Sequence, residues 1–101
     1  MLFMIQCFDK ENGLEIRKAT REAHLAYASS AGARLKFAGP MLASEEDATP
    51  IGSLILLDAA SEAAAYLYAD NDPYNTAGLF EKILIKPMLG VLGQWLEDHD
   101  N

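Results

Sequence analysis

Three side chains in the segment RKATREAHLAY, residues 17 to 27, are spaced to work together: Arg17, Arg21 and His24 follow one another at intervals of four and three. On a helix that spacing places them on one stripe. Two guanidinium groups offer a site for a carboxylate or another anion. An imidazole titrates near neutrality, with an ordinary pKa of about 6.5, so it can take up and release a proton under physiological conditions. The same stripe would also serve as the solvated face of a helix. A fourth residue bears on the choice. Asp72 opens the stretch DPYNTAGLF, and a carboxylate that accepts from one ring nitrogen of a histidine fixes its tautomer and leaves the other nitrogen free. Asp followed by Pro is equally at home as the cap of a short helix with Pro73 as its first residue.

The elements that must position these residues are legible in outline. LFMIQCFD, residues 2 to 9, reads as a strand ended by the turn signal DKENG. Leu14 to Ser30 lacks Gly and Pro and reads as the first helix, with Ala19, Ala23, Ala26 and Tyr27 expected against the sheet. Residues 33 to 43 read as a strand in which Gly39 and Pro40 imply a bend or an edge position. Residues 52 to 58 form another strand, 60 to 70 a second helix capped by Ser61, and 79 to 89 a fourth strand with Pro87 at an edge or end. The tail from 90 to 101 has room for a helical turn or two. The order βαββαβ predicts a single α+β domain over residues 1–101, a ferredoxin-like sandwich with two helices on one face of a four-stranded antiparallel sheet.

That arrangement sets a geometric demand. The end of the second helix lies near the start of the first, and His24 is ten residues past Leu14, roughly 15 Å along the axis. Residues 70 to 78 must therefore run back along the first helix if Asp72 is to reach His24.

The strands carry a second message. In the first, Leu2, Met4 and Phe8 alternate with Phe3, Ile5 and Cys7, so both sides are apolar, and LILL at 54 to 57 behaves likewise. Two helices cover one face only, and an exposed apolar face of this size is an association site. A homodimer packed sheet against sheet is expected. The loop after Ala43 or the acidic tail, folded over the open face, is the alternative.

Charge and composition narrow the class. Fifteen acids against eight Lys and Arg give a net charge of −7, with no basic cluster to offset the repulsion of a phosphate backbone, so nucleic acid is not an expected partner. No apolar run approaches the roughly 20 residues that span a bilayer, so no membrane role is expected. Cys7 is the only cysteine, and no Cys or His pattern has metal-ligand spacing. A reducing cytoplasm fits.

Taken together, RKATREAHLAY (17 to 27), FAGP (37 to 40) and ADNDPYNTAGLFEKILIKP (69 to 87), behind a short apolar opening strand, resemble the YCII-related (YciI-like) family of small bacterial proteins over nearly the whole domain. The resemblance implies a dimeric α+β barrel of ferredoxin-like subunits. It also implies a catalytic His on the first helix and a catalytic Asp in the Asp-Pro motif, matching His24 and Asp72. The chain is also similar to small dehalogenases and to muconolactone isomerases that act on ring lactones. Gly39 and Pro40 match a strand bend beside the pocket, though a plain sheet edge would use the same residues. Tyr74 and Phe80 are candidates to wall the pocket. The acidic loop MLASEEDATPIG departs from the family pattern, and substrate preference would follow if it borders the site.

The expected chemistry is proton transfer on a small organic acid or lactone, with no metal or organic cofactor. His24 acts as base and then acid, Asp72 orients it, and Arg21, with Arg17, holds a carboxylate or enolate. A ligand-binding module without catalysis is the second reading, and a cofactor-free oxygenase of the same architecture the third.

Overall fold

The computed structural model describes residues 1–97 and contains β1 (Leu2–Asp9), α1 (Leu14–Ser30), β2 (Leu35–Leu42), β3 (Pro50–Asp58), α2 (Glu62–Asp70), α3 (Pro73–Thr76), β4 (Phe80–Met88) and α4 (Gln94–Glu97). The strands form one antiparallel sheet in the order β2-β3-β1-β4, the ferredoxin-like arrangement. A 3₁₀ turn over Gly32–Arg34 takes up the first residues expected to be strand. The end of the expected tail, residues 98–101, lies outside the described residues.

Local sequence explains the boundaries. Ser61 caps α2 by accepting from the Ala64 amide at 3.1 Å. Pro87 lies near the end of β4, an edge strand, and Gly39 and Pro40 lie in β2, the opposite edge. Edges tolerate the missing amide hydrogen of proline. At Gly13, just before α1, an added Cβ would come within 2.6 Å of the Leu79 side chain. The bare backbone is what lets the start of α1 close onto the segment leading into β4.

The sheet sorts its side chains by the pleat. Phe3, Ile5, Cys7, Ile55, Leu57 and Ile85 point to the helix side and form the core with Tyr68, Tyr74, Leu79 and Phe80. Removing that much apolar surface from water is the main stabilising term. The other pleat carries Leu2, Met4, Leu54, Leu56 and Leu84, all part-exposed, with Phe37 and Met88 more exposed still. At one end of that face the Trp95 ring of α4 packs on Phe37, with centroids 5.3 Å apart. Leu89, Val91 and Leu92, on the way to it, remain largely exposed. The tail therefore touches the open face without covering it.

The orientation of α1 differs from the expectation. Ala19, Ala23 and Ala26 are exposed, and the inward stripe is Ile16, Arg17, Thr20, His24, Tyr27 and Ala28. The helix turns a largely polar face inward because its polar groups find partners there. Arg17 meets Asp9, His24 meets Asp72, and the Tyr27 hydroxyl donates to the Tyr68 carbonyl at 2.7 Å. Hydrogen-bonded polar groups can be buried at little cost, so apolarity alone misplaces this helix. Whereas α2 packs on β1 and β4, α1 leans on α3, and a gap opens between α1 and the β2–β3 half of the sheet.

Candidate active site

That gap is a cavity of about 640 Å³, walled by α1 on one side and by β2 and β3 on the other. His24 enters it from α1, and residues 70 to 78 do run back along that helix. Asn71 ends α2, and α3 then packs on α1. Asp72 is the N-cap of α3, in extended conformation with Pro73 at the first helical position. Its Oδ1 accepts from the Tyr74 amide at 2.9 Å and lies 2.8 Å from His24 Nδ1. One oxygen thus performs both roles that the sequence left open, capping the helix and holding the imidazole. A carboxylate can only accept, so the hydrogen of the neutral ring sits on Nδ1 and the lone pair on Nε2. Asp72 is 1% exposed; water does not compete for this contact.

Tyr74 fixes the plane of the imidazole. Its ring stacks on His24 with centroids 3.9 Å apart and planes 13° from parallel. The Arg17 guanidinium lies over the Tyr74 ring, 4.9 Å from its centroid. Phe80, expected as a pocket wall, is buried edge-on behind Tyr74, 6.1 Å between centroids, and does not reach the cavity.

Arg17 is committed elsewhere. Its Nε donates to Asp9 Oδ2 at 2.6 Å, and its Nη2 donates to the Gly52 carbonyl at 2.8 Å, to Ser53 Oγ at 2.9 Å and to Asp9 Oδ1 at 3.2 Å. The pair is buried on both sides. Such a guanidinium braces α1 against β1 and β3. It borders the cavity without being free to close on a ligand carboxylate. Arg21 is exposed and lines the cavity, as do Gly39 and Pro40. Register pairs Gly39 with Leu54 on the open face, where an added Cβ would meet nothing within 4 Å, so its absent side chain does not make room in the cavity. Of the acidic loop, only Pro50 reaches the lining.

The electrostatics of the cavity oppose those of the chain. Arg17, Lys18, Arg21 and Lys36, half of the eight Lys and Arg, line it, and no Asp or Glu does. In a molecule of net charge −7 this is the surface that attracts a small anion. The rest of the lining is mainly apolar, including Leu14, Leu25, Leu35 and Ile55. Cys7 does not line it. Burial, then the charges of Asp72 and Asp9, push its thiol up to about 12, so it is neutral and not nucleophilic at physiological pH. The Tyr68 phenol is likewise pushed up to about 12, first by burial and then by Asp72 and Tyr27. Among the described residues no group of three or more His, Cys, Asp or Glu could hold a metal ion, and no helix is long and apolar enough to cross a membrane.

The family model of the YCII-related domain matches residues 1–89. The chain belongs to the YCII-related family. Protein YciI of Escherichia coli O6:H1 is 39% identical over 93 residues, covering 86% of this chain and 95% of that protein. Among solved structures, 5-chloro-2-hydroxyhydroquinone dehydrochlorinase (TftG) from Burkholderia phenoliruptrix AC1100, in complex with 2,5-dihydroxybenzoquinone, superposes with a TM-score of 0.81 at 30% identity, covering 88% of this chain and 94% of that one. PA3566 from Pseudomonas aeruginosa, at 12% identity and a TM-score of 0.52 over 90% and 93% of the two chains, shares the fold alone.

Within this YCII-related domain, the sequence reading missed Asp9, Ser53, Lys18 and Lys36. Asp9 had a signal, a lone acid closing an apolar strand, which reads more simply as the start of the turn. Lys36 had none, because its place depends on a β-bulge. The register passes from Leu35↔Leu57 to Phe37↔Leu56 and leaves Lys36 without a cross-strand partner.

Proposed function

We propose that this protein is a small-molecule enzyme that moves protons on a small anionic organic substrate, an organic acid, a lactone or an ionised hydroxyquinone, and that His24 and Asp72 are its catalytic pair. The observation that carries the reading is the contact of 2.8 Å between His24 Nδ1 and Asp72 Oδ1 at the wall of a cationic cavity. With Nδ1–H held, Nε2 takes a proton from a substrate carbon or hydroxyl, and the buried carboxylate stabilises the imidazolium that forms. The imidazolium then returns the proton to another atom of the substrate, which is isomerisation. Where the deprotonated substrate instead expels a halide with its bonding electron pair, the result is elimination. Arg21 faces the negative charge on the substrate. The reading calls on no metal or organic cofactor. The likeness to a dehydrochlorinase at 30% identity supports the elimination branch.

Chloride release from 5-chloro-2-hydroxyhydroquinone and solvent-deuterium uptake into small lactones test the proposal in the wild type and in His24→Ala. Turnover in the wild type and a loss of about 10²–10⁴-fold in the variant, with unchanged circular dichroism, is the expected result. A variant as active as the wild type rejects His24 as the base. Binding of these compounds without any turnover favours a ligand-binding module.

The functional unit in this proposal is a homodimer closed sheet to sheet. The support is the open face with Leu54, Leu56, Leu84 and Phe37, together with the exposed Leu89, Val91 and Leu92 beside it. Apolar side chains left part-exposed on one sheet face are of the kind that marks association sites. Sedimentation equilibrium should give twice the chain mass at micromolar concentration, and Leu56→Glu should give the monomer. A wild type that sediments as a monomer rejects the dimer.

A further inference from the structure

Four cations line the cavity, but they are not equivalent. Arg17 is spent on Asp9, Gly52 and Ser53. Lys18 has Glu15 at 3.9 Å, one helical turn away on the same exposed surface. Arg21 and Lys36 remain, and among the described residues neither has a carboxylate within 4.0 Å. Asp58, a carboxylate whose titration Lys36 influences, is already bonded at 2.9 Å to the terminal ammonium of Met1. Two unpaired cations bordering one cavity are notable in a chain with nearly twice as many acids as bases.

Arg21 stands on α1 and Lys36 on β2, the two facing walls. The bulge frees Lys36 from the pleat that would otherwise pair it across the strand. Between the walls lies the apolar lining of Leu14, Leu25, Leu35 and Ile55. We infer that the ligand of this cavity is a dianion with an apolar middle, one negative charge met by Arg21 from the helix and the other by Lys36 from the strand. This rests on the proposal that the cavity is the active site, and narrows its substrate class from an anion to a molecule charged at both ends. A monoanion would engage one wall and leave the other cation unmatched. The bidentate fork of Arg21 suits a carboxylate or a vicinal oxyanion pair. The ammonium of Lys36 acts as a point charge and sets the length of ligand that fits.

Calorimetric titration with compounds matched in their apolar part provides the test. Terephthalate and isophthalate supply two charges at two spacings, 2,5-dihydroxybenzoquinone at neutral pH supplies a dianion of another chemistry, and benzoate supplies one charge. In the wild type at least one dianion should bind about tenfold or more tighter than benzoate, a difference of about 1.4 kcal/mol. Arg21→Gln and Lys36→Gln should each remove most of that preference, while benzoate affinity falls in only one of them. Both side chains are exposed, and unchanged circular dichroism would exclude misfolding as the cause.

Equal affinity for benzoate and the dianions, unchanged dianion affinity in Lys36→Gln, or no binding of any dianion at millimolar concentration overturns the inference. The result separates from the fate of the acid–base pair, because His24→Ala retains both cations. Dianion preference without turnover would reject the pair and keep the ligand class. Turnover of monoanions without dianion preference would do the reverse.

Discussion

Asp72→Asn is expected to leave the protein nearly as stable as the wild type and to remove most of its turnover, whereas Asp72→Ala loses both. The separation follows from the two bonds that Oδ1 accepts, from the Tyr74 amide and from the side of His24 Nδ1. Asn caps helices about as well as Asp, so its amide oxygen keeps the first bond. It brings no charge to stabilise an imidazolium, and its NH₂ group can turn to the ring and favour the other tautomer. Losses near 10⁴-fold accompany the same change in the unrelated Ser-His-Asp triad. Ala removes the cap as well and strands the buried Tyr74 amide, for a combined cost of about 2–3 kcal/mol. Urea midpoints measure the stability, and two-bond ¹⁵N–¹H correlations of the imidazole report the tautomer without any substrate. A single Nδ1–H tautomer in the wild type and a mixture in Asp72→Asn is the expected outcome. An unmixed Nδ1–H tautomer in Asp72→Asn would mean that the carboxylate does not orient the ring.

Arg17→Met should have the largest effect on folding, about 3–5 kcal/mol. The substitution leaves the Asp9 carboxylate charged and buried, its side chain 5% exposed, and withdraws the donors from the Gly52 carbonyl and Ser53 Oγ. That is a large share of the roughly 5–15 kcal/mol that holds a domain folded. The double variant Asp9→Asn with Arg17→Met should recover much of the loss, because replacing both members of a buried pair is far less costly than orphaning one. Arg17→Lys should recover little, since an ammonium cannot form the fork to Asp9. A loss under about 1 kcal/mol for Arg17→Met would show that the ion pair is not a brace and would return Arg17 to the ligand.

The contrast between Asp72 and Arg17 also marks what the sequence could disclose. The order of strands and helices along the chain and the cap at Asp72 were legible because apolar period, Pro, Gly and caps act locally; that the Asp-Pro segment must run back was a condition the sequence set and did not settle. His24 and Asp72 were legible as candidates through their residue types and family resemblance. Their meeting was not, because 48 positions separate them and only the packing of α3 on α1 brings them together. The engagement of Arg17 with Asp9, Gly52 and Ser53 was illegible for a related reason. A stripe of spacing four and three shows which residues share a face, but not which way that face turns. The helix turned Arg17, His24 and Tyr27 inward and Ala19, Ala23 and Ala26 outward, leaving Arg21 exposed, because Asp9, Asp72 and the Tyr68 carbonyl offered partners from distant parts of the chain. Lys36 was illegible because a bulge depends on pairing between strands.

The shared oxygen of Asp72 also limits how this domain can be altered. In many enzymes a reacting side chain is destabilising to the fold, and removing it makes the protein sturdier. Here the atom that would orient the proton carrier also starts a helix, so only a residue that keeps a capping oxygen, as Asn does, can give up the chemistry at this position without weakening the architecture. A lineage giving up the reaction has reason to retain Asp or Asn here, and a capping side chain at this position in a relative would be weak grounds for activity. The imidazole packs on α3 but caps no helix, and its retention or loss is the more informative trace of whether a relative is equipped for the proposed reaction.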